Sequence, residues 1–499
     1  MYVNSLFLFV KFLNYIQEFS RLPESSDWKR FQKYSRRVRE LEYDETTEDI
    51  TLSHSVFDDI ARTRTSLVIL PNMHTLNWRA PLPLCVMFMC ANVTRFAIHL
   101  PDVIAGASPR PFFDDIIDRM PRLNELDIRT QIPARILEKE LIRLLSSLPD
   151  LRKISFPRFY LTSSLCICCS RLPKLGCVEF QYYDDQGSGD PADVAVFQPE
   201  FPDGAFPSLW DLSLTASYRE VQRFLTIPFA PTNITVLHIE SSEFESPVHL
   251  HQLLVTISEN CQMLKTLTLI SPRRVLRDQI TVPDGFSQVT ADTLKPALAC
   301  SSLTSLEIVH QFPLKLTQKD LEIFAKCWVS LETLNLNTEP HYFKSSDLTL
   351  EAIFPFAQYC PRLTYLALFI DASFGALSLS TASPRPHFKC LQHLAVGFSA
   401  VEEPISVARF LSRVLPLGCH VDGGVIWSDS FELEPGGEII AAERCSMWSK
   451  VNQLLPTLIM VREEEREGMN ELQRELDRVR GQVHDLTEQL DALFGMTES

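Results

Sequence analysis

No run of apolar residues in the chain approaches the roughly 18 that a membrane-spanning helix requires. Even "PLPLCVMFMCA" at 81–91 is too short and carries two prolines. Basic residues are in the minority, 47 Lys and Arg against 63 Asp and Glu, for a net charge of -16. Nucleic-acid binding runs on basic surface and counterion release, so that class is excluded, and a partner with basic patches is better suited. Catalytic signatures are missing as well: there is no G-x-S-x-G and no H-E-x-x-H. The 12 histidines are scattered, several of them (His74, His99, His238, His393) inside or beside repeated segments. The 13 cysteines are odd in number and mostly isolated, which fits a reducing compartment, cytoplasmic or nuclear, better than a disulfide framework. The one dense group, Cys166, Cys168 and Cys169, reads as buried helix thiols. The expectation is therefore a chain that is not an enzyme and takes no cofactor, no metal, no nucleic acid and no membrane.

The first residues, "MYVNSLFLFVKFLNYIQEF", have no basic residue ahead of the apolar run and no small-residue cleavage site. They read as an amphipathic or buried helix over 1–25. With 45% apolar and 22% charged residues, the rest has the composition of a folded globular protein.

What the chain does have is one pattern, x-x-[LIVM]-x-x-[LIF]-x-[LIVFW], many times over. It appears as "PNMHTLNW", "ANVTRFAI", "PRLNELDI", "PDLRKISF" and "PSLWDLSL", and, with Val178 at the second apolar position, as "PKLGCVEF". It returns as "TNITVLHI", "QMLKTLTL", "SSLTSLEI", "VSLETLNL", "PRLTYLAL" and "KCLQHLAV", with "RRVRELEY" a degenerate copy upstream. From Met73 to Leu391 the mean period is about 29 residues, the long end of leucine-rich repeats. Between copies, segments such as "RILEKELIRLLSSL" and "HLHQLLVTISENC" carry apolar residues at helical spacing. Thr317 with Asp320 forms a near capping box at the start of one such segment. Strand and helix alternating at a steady period predict parallel strands with right-handed crossovers. One unit cannot bury its apolar side, whereas stacked units share a continuous core. The fold expected is α/β: a leucine-rich-repeat solenoid over 26–430, a horseshoe with a parallel inner sheet and outer helices.

Two intervals are stretched, at 181–205 and 271–290, both rich in Gly, Pro and charge. They read as solvated loops, placed where repeat proteins often carry their binding face. Cys261, Cys300, Cys327 and Cys360 each stand three or four residues ahead of a strand leucine and read as packing residues at the helix-to-strand turn.

"LTQKDLEIFAKCWVSLETLNL", "SDLTLEAIFPFAQYCPRLTYLALFIDAS" and "LQHLAVGFSAVEEPISVARFLSRVLPL" resemble the C-terminal half of the F-box/leucine-rich-repeat proteins of basidiomycete fungi. "SSDWKRFQKYSRRVRELEY" resembles the linker that follows the F-box in that family, and the likeness runs over about residues 26–465. The resemblance implies a substrate-recognition subunit of a cullin-type ubiquitin ligase, its repeats holding a protein target. Docking on the Skp-type linker belongs to the F-box in that family. Residues 1–25 show no leucine-proline helix opening that aligns with one, so an F-box missing or truncated is the expectation, and with it no Skp or cullin binding by this chain alone. The alternative function is a scaffold outside ubiquitin transfer, or a structural oligomer assembled through the tail.

That tail, 431–499, follows a closing strand in "VLPLGCHVDGGVIW" and is expected to be helical with a break at Pro456. Met469, Leu472, Leu476, Val479, Val483, Leu486, Leu490 and Leu493 step by threes and fours. That spacing is a heptad seam, which either pairs with a second helix, allowing self-association through 469–493, or docks on the end of the solenoid.

Candidate partner-binding residues follow from strand alternation. The repeat leucines turn inward, so the residues between and just after them face the open side of the sheet. These are Thr75, Asn77, Arg79, Arg95, His99, Glu125, Asp127 and Arg129 in the early repeats and Tyr365, Phe369 and His393 in the late ones. Tyr365 and Phe369 are read either as aromatic anchors or as rings packed beneath a loop or the C-terminal helix.

Overall fold

The thirteen pattern segments become short strands whose inward residues are the pattern's own hydrophobics, and a fourteenth strand follows at His420–Gly423. In the strand Thr75–Arg79, Leu76 and Trp78 are buried while Thr75, Asn77 and Arg79 alternate outward. The structure is a computed structural model. It describes residues 10–13, 16–46, 51–101, 108–180, 186–241, 243–271, 288–342, 346–373, 386–424 and 436–495.

The chain forms two compact units, one of Met1–Pro272 with Thr293–Ser302, the other of Arg273–Asp292 with Leu303–Ser499. The first holds β1 (Glu40–Asp44), β2 (Thr75–Arg79), β3 (Arg95–His99), β4 (Glu125–Arg129) and β5 (Lys153–Phe156). It continues with β6 (Cys177–Phe180), β7 (Asp211–Leu214), β8 (Val236–Glu240) and β9 (Thr266–Ile270). Each pairs in parallel with the next in sequence order. The second unit holds β10 (Ser305–Val309), β11 (Thr333–Leu336), β12 (Tyr365–Leu368), β13 (His393–Gly397) and β14 (His420–Gly423), again parallel and in order. The architecture is a leucine-rich-repeat solenoid.

Between strands run the expected helices. Ala134–Ser146 buries Leu137, Leu141, Leu144 and Leu145, and Pro247–Asn260 buries Leu250, Leu253, Leu254 and Ile257. In Gln318–Cys327 the Thr317 hydroxyl accepts from the Asp320 amide, and the Asp320 carboxylate accepts from the Thr317 amide at 2.8 Å. The capping box read from the sequence is made.

Three expectations are corrected. Residues Val10–Leu13 and Ile16–Phe19 are antiparallel strands rather than an N-terminal helix. Their Phe, Val and Ile content suits a strand, and Thr51–Leu52 pairs with Ile16–Phe19, a partner that helical spacing could not disclose. Cys261, Cys300 and Cys360 are buried as expected, but Cys327 is exposed. The buried slot lies three residues before the strand leucine; there it holds Trp328, fully buried, and one step earlier points Cys327 outward. Finally, Pro456 does not break the tail: Gly437–Gly495 is one helix. Val451, Leu455 and Ile459 are buried on either side of the exposed proline, so packing holds the helix across the missing hydrogen bond.

The same helix closes the second unit. The Asn452 side-chain carbonyl accepts from the Val421 amide of β14 at 3.0 Å, and the Trp448 indole donates to the Ser399 carbonyl at 2.9 Å. An otherwise bare edge strand is thereby covered. Among the described residues no helix is long and apolar enough to cross a membrane.

Candidate protein-docking face

Parallel register stacks equivalent positions of successive repeats into rows on the open face. In the first unit one row runs Arg95, Glu125, Lys153, Cys177, Asp211 across β3 to β7. The parallel row two residues on contains Asp127, Ser155 and Glu179. Strands about 4.8 Å apart bring these side chains within reach of one another.

Opposite charges use that reach. Arg95 Nε lies 3.1 Å from Glu125 Oε1, and Lys153 Nζ lies 2.7 Å from Glu179 Oε1. Arg129 reaches Asp127 at 2.9 Å within its own strand, and Arg79 stands 3.6 Å from Asp44. His99 is half-buried at the end of β3, in register with Arg129. Five of the residues proposed from the sequence (Arg79, His99, Glu125, Asp127 and Arg129) thus share one face of the first unit.

Sequence reasoning missed Lys153, Glu179 and Asp211, which occupy the same pattern positions in "LRKISF", "LGCVEF" and "LWDLSL". Extending the register beyond β4 would have found them. It also missed Gln186, which lies in the 181–205 insertion. Its side-chain nitrogen donates to Asp127 Oδ1 and to the Ile128 carbonyl, each at 3.0 Å. Arg135 holds the following turn through Asp190 at 2.6 Å and Asp193 at 2.7 Å. The described part of this insertion is therefore pinned against the repeats. Most of the 271–290 insertion lies outside the described residues.

Cys177, Glu179 and Asp211 bring ligand-type atoms within 4.8 Å of one another. The set is already satisfied by protons and by a resident cation. The Cys177 thiol donates to Asp211 Oδ2 at 3.2 Å, and Lys153 neutralises Glu179. Burial pushes the Cys177 thiol pKa up, as do the Asp211 and Glu179 carboxylates. Burial likewise raises the Asp211 pKa. Burial opposes the Lys153 ammonium, but Glu179, with Cys177 and Asp211 behind it, outweighs that and raises its pKa.

In the second unit the equivalent row begins with Ser305 and Thr333 and ends in three rings. Tyr365, His393 and His420 follow one another across β12, β13 and β14 with ring centroids 6.3 and 5.7 Å apart. His393 Nδ1 is 3.0 Å from Asp422 Oδ2. His420 and Asp422 were not among the residues singled out from the sequence, because β14 lacks the leucine signature of the other repeats.

Phe369 is a correction. It follows the last residue of β12, leaves the alternation, and is buried against Phe398 and Ala441 of the C-terminal helix. Its ring is core, not an anchor.

No family model matches the chain, and no curated protein matches it. Solved structures with which it shares a partial likeness include the Rad7 and Elc1 complex in yeast. That match has a TM-score of 0.36 and 12% identity over 71% of this chain and 84% of that one. The TLR13–ssRNA13 complex gives 0.29 and 12% over 72% and 60%. The LRIM1/APL1C complex gives 0.27 and 10% over 89% and 78%. At TM-scores this low the fold is read from the chain's own strand register.

Proposed function

We propose that the protein is a non-enzymatic binding scaffold that holds a protein target on the open face of its repeats. The observation that carries this reading is the row from Arg95 to Asp211. It offers charged groups of both signs on four of five consecutive strands of one sheet, several of them already oriented by cross-strand pairs. Groups held in place by a sheet lose little freedom on docking, which favours specific association. Pairing also explains why the face does not read as catalytic: its charges are directed at one another along the sheet rather than converging on one point. The Tyr365–His393–His420 stripe supplies a second patch, of the aromatic kind that contributes most to protein interfaces.

The more specific role is that of the target-holding part of an adaptor for a cullin-type ubiquitin ligase. It is supported by the resemblance of residues 316–336 and 346–373 to the repeats of F-box/leucine-rich-repeat proteins. Affinity capture with the full chain, followed by cross-linking, tests both levels. A target cross-linked to residues of β3 to β7, lost on Glu125→Lys with Asp127→Lys, supports the scaffold reading. The chain alone is expected to recover no Skp-type or cullin protein, so ubiquitination of that target when an F-box is fused ahead of the chain supports the adaptor role. Targets that cross-link only to the helices, and survive the charge reversal, would overturn the docking face.

A further inference from the structure

The C-terminal helix is two helices in one. Up to Arg462 it lies on the repeats, with Ala441, Trp448, Val451, Leu455 and Ile459 buried. From Glu463 to Thr487 every residue is exposed. In that outer half Met469 and Leu472 are each 67% exposed, Leu476 and Val479 each 45%, and Val483 and Leu486 each 58%. Docking of the seam in cis, one of the two readings of the heptads, is therefore not what the chain does over these residues. An apolar stripe this regular, covered by nothing among the described residues, needs a partner with the same 3.5-residue repeat.

We propose that the partner is a second copy of this chain, and that the two helices form a parallel, in-register two-stranded coiled coil over Met469–Leu493. The heptad assignment places Met469, Leu476, Val483 and Leu490 at a, and Leu472, Val479, Leu486 and Leu493 at d. Glu475 then falls at g and Arg480 at the following e. In a parallel pair g faces the e five residues on in the other helix, so Glu475 of each copy meets Arg480 of its mate. Within one chain these groups have little else to hold them. Arg480 is 3.9 Å from Asp477 and Glu475 is 3.8 Å from Arg478, all well exposed. In the antiparallel arrangement that keeps the seam in layers, e faces e, and Arg480 would meet Arg480. Charge pattern thus favours the parallel pair, and it favours a like helix because the complementary residues lie on the same sequence.

The consequence is bivalency. The helix leaves the repeats near Arg462 and the seam begins seven residues later, about 10 Å along the axis. A parallel pair therefore sets the closing repeats of both copies at the same end of the coil, available to a target carrying two sites. Formation of the pair does not depend on what the open face binds, so the two readings fail separately.

The test is the mass of the full chain in solution, by light scattering coupled to size exclusion, from 1 to about 100 μM. Twice 57.0 kDa is expected. Leu476→Glu with Val479→Glu should return the mass to 57.0 kDa while the melting temperature of the repeats stays in place. Glu475→Arg should weaken the pair about tenfold, and adding Arg480→Glu should restore it. A monomer across the whole range, a trimer, or a Glu475→Arg protein as tightly paired as the parent would each overturn the proposal.

Discussion

Arg158 and Glu240 are 82 residues apart in sequence, yet they form a forked ion pair: Arg158 Nε lies 2.9 Å from Glu240 Oε2, and a second nitrogen meets Oε1. Glu240 ends β8 and is 1% exposed, while Arg158 lies just beyond β5, with β6 and β7 between them in the sheet order. A carboxylate so deeply buried keeps its charge at a tolerable cost only beside a cation. Arg158→Met should therefore destabilise the protein by about 2–3 kcal/mol, somewhat less than a fully buried pair because the arginine is partly exposed. Adding Glu240→Gln should recover part of that loss. A urea-unfolding double-mutant cycle measures the coupling; strictly additive losses would mean that the pair is not coupled.

Phe369 and Tyr365 are four residues apart and should behave oppositely. Phe369→Ala empties a packed site against Phe398 and Ala441 and should cost about 3 kcal/mol of stability, seen as a lower melting temperature. Tyr365→Ala, at a half-buried position on the open face, should leave melting nearly unmoved and weaken target capture tenfold or more. A Tyr365→Ala protein that melts several degrees lower with its target still bound would remove this residue from the docking face.

Asp211 makes stability depend on pH in an unusual direction for a carboxylate. Burial raises its folded pKa above the ordinary 3.8, with Glu179 adding to the rise and the Cys177 thiol and Lys153 opposing it. A raised acid binds its proton more tightly when folded. Its contribution is complete below pH 3.8 and is lost as pH climbs through the folded value. Asp211→Asn has no such loss, so the stability of the natural protein relative to this variant should fall from about pH 4 upward and then level. Chemical denaturation at steps from pH 3 to 7 would show it; a difference independent of pH would contradict the shift.

Thiol chemistry should be confined to few sites. Of the 13 cysteines only Cys327 and Cys390 are exposed, and Cys445 is half-buried. Burial raises the thiol pKa at Cys166, Cys169 and Cys177, and at Cys261 and Cys360 to about 12. A maleimide at pH 7 should modify two cysteines quickly, identified by peptide mass as 327 and 390. Rapid modification of Cys166 or Cys169 in the folded protein would show that the helix Ser163–Ser170 opens.

The repeats were legible because their information is local. An apolar residue at each inward position is required by the pleat itself, so every one of the thirteen pattern segments marked a strand, and "GCHVDG" marked the last. The capping box at Thr317 and the face shared by Glu125, Asp127 and Arg129 follow from the same short-range geometry. What sequence spacing could not decide was which distant element would arrive beside a given residue. The strand Ile16–Phe19 exists because Thr51–Leu52 completes it, and the helix passes Pro456 because repeats lie beneath Leu455 and Ile459. Phe369 is core because Ala441 closes over it, and Arg158 finds Glu240 only once two further strands have stacked between them. Periodicity within a segment sets the form of each repeat unit; burial and charge pairing between segments far apart in sequence are settled only by tertiary packing.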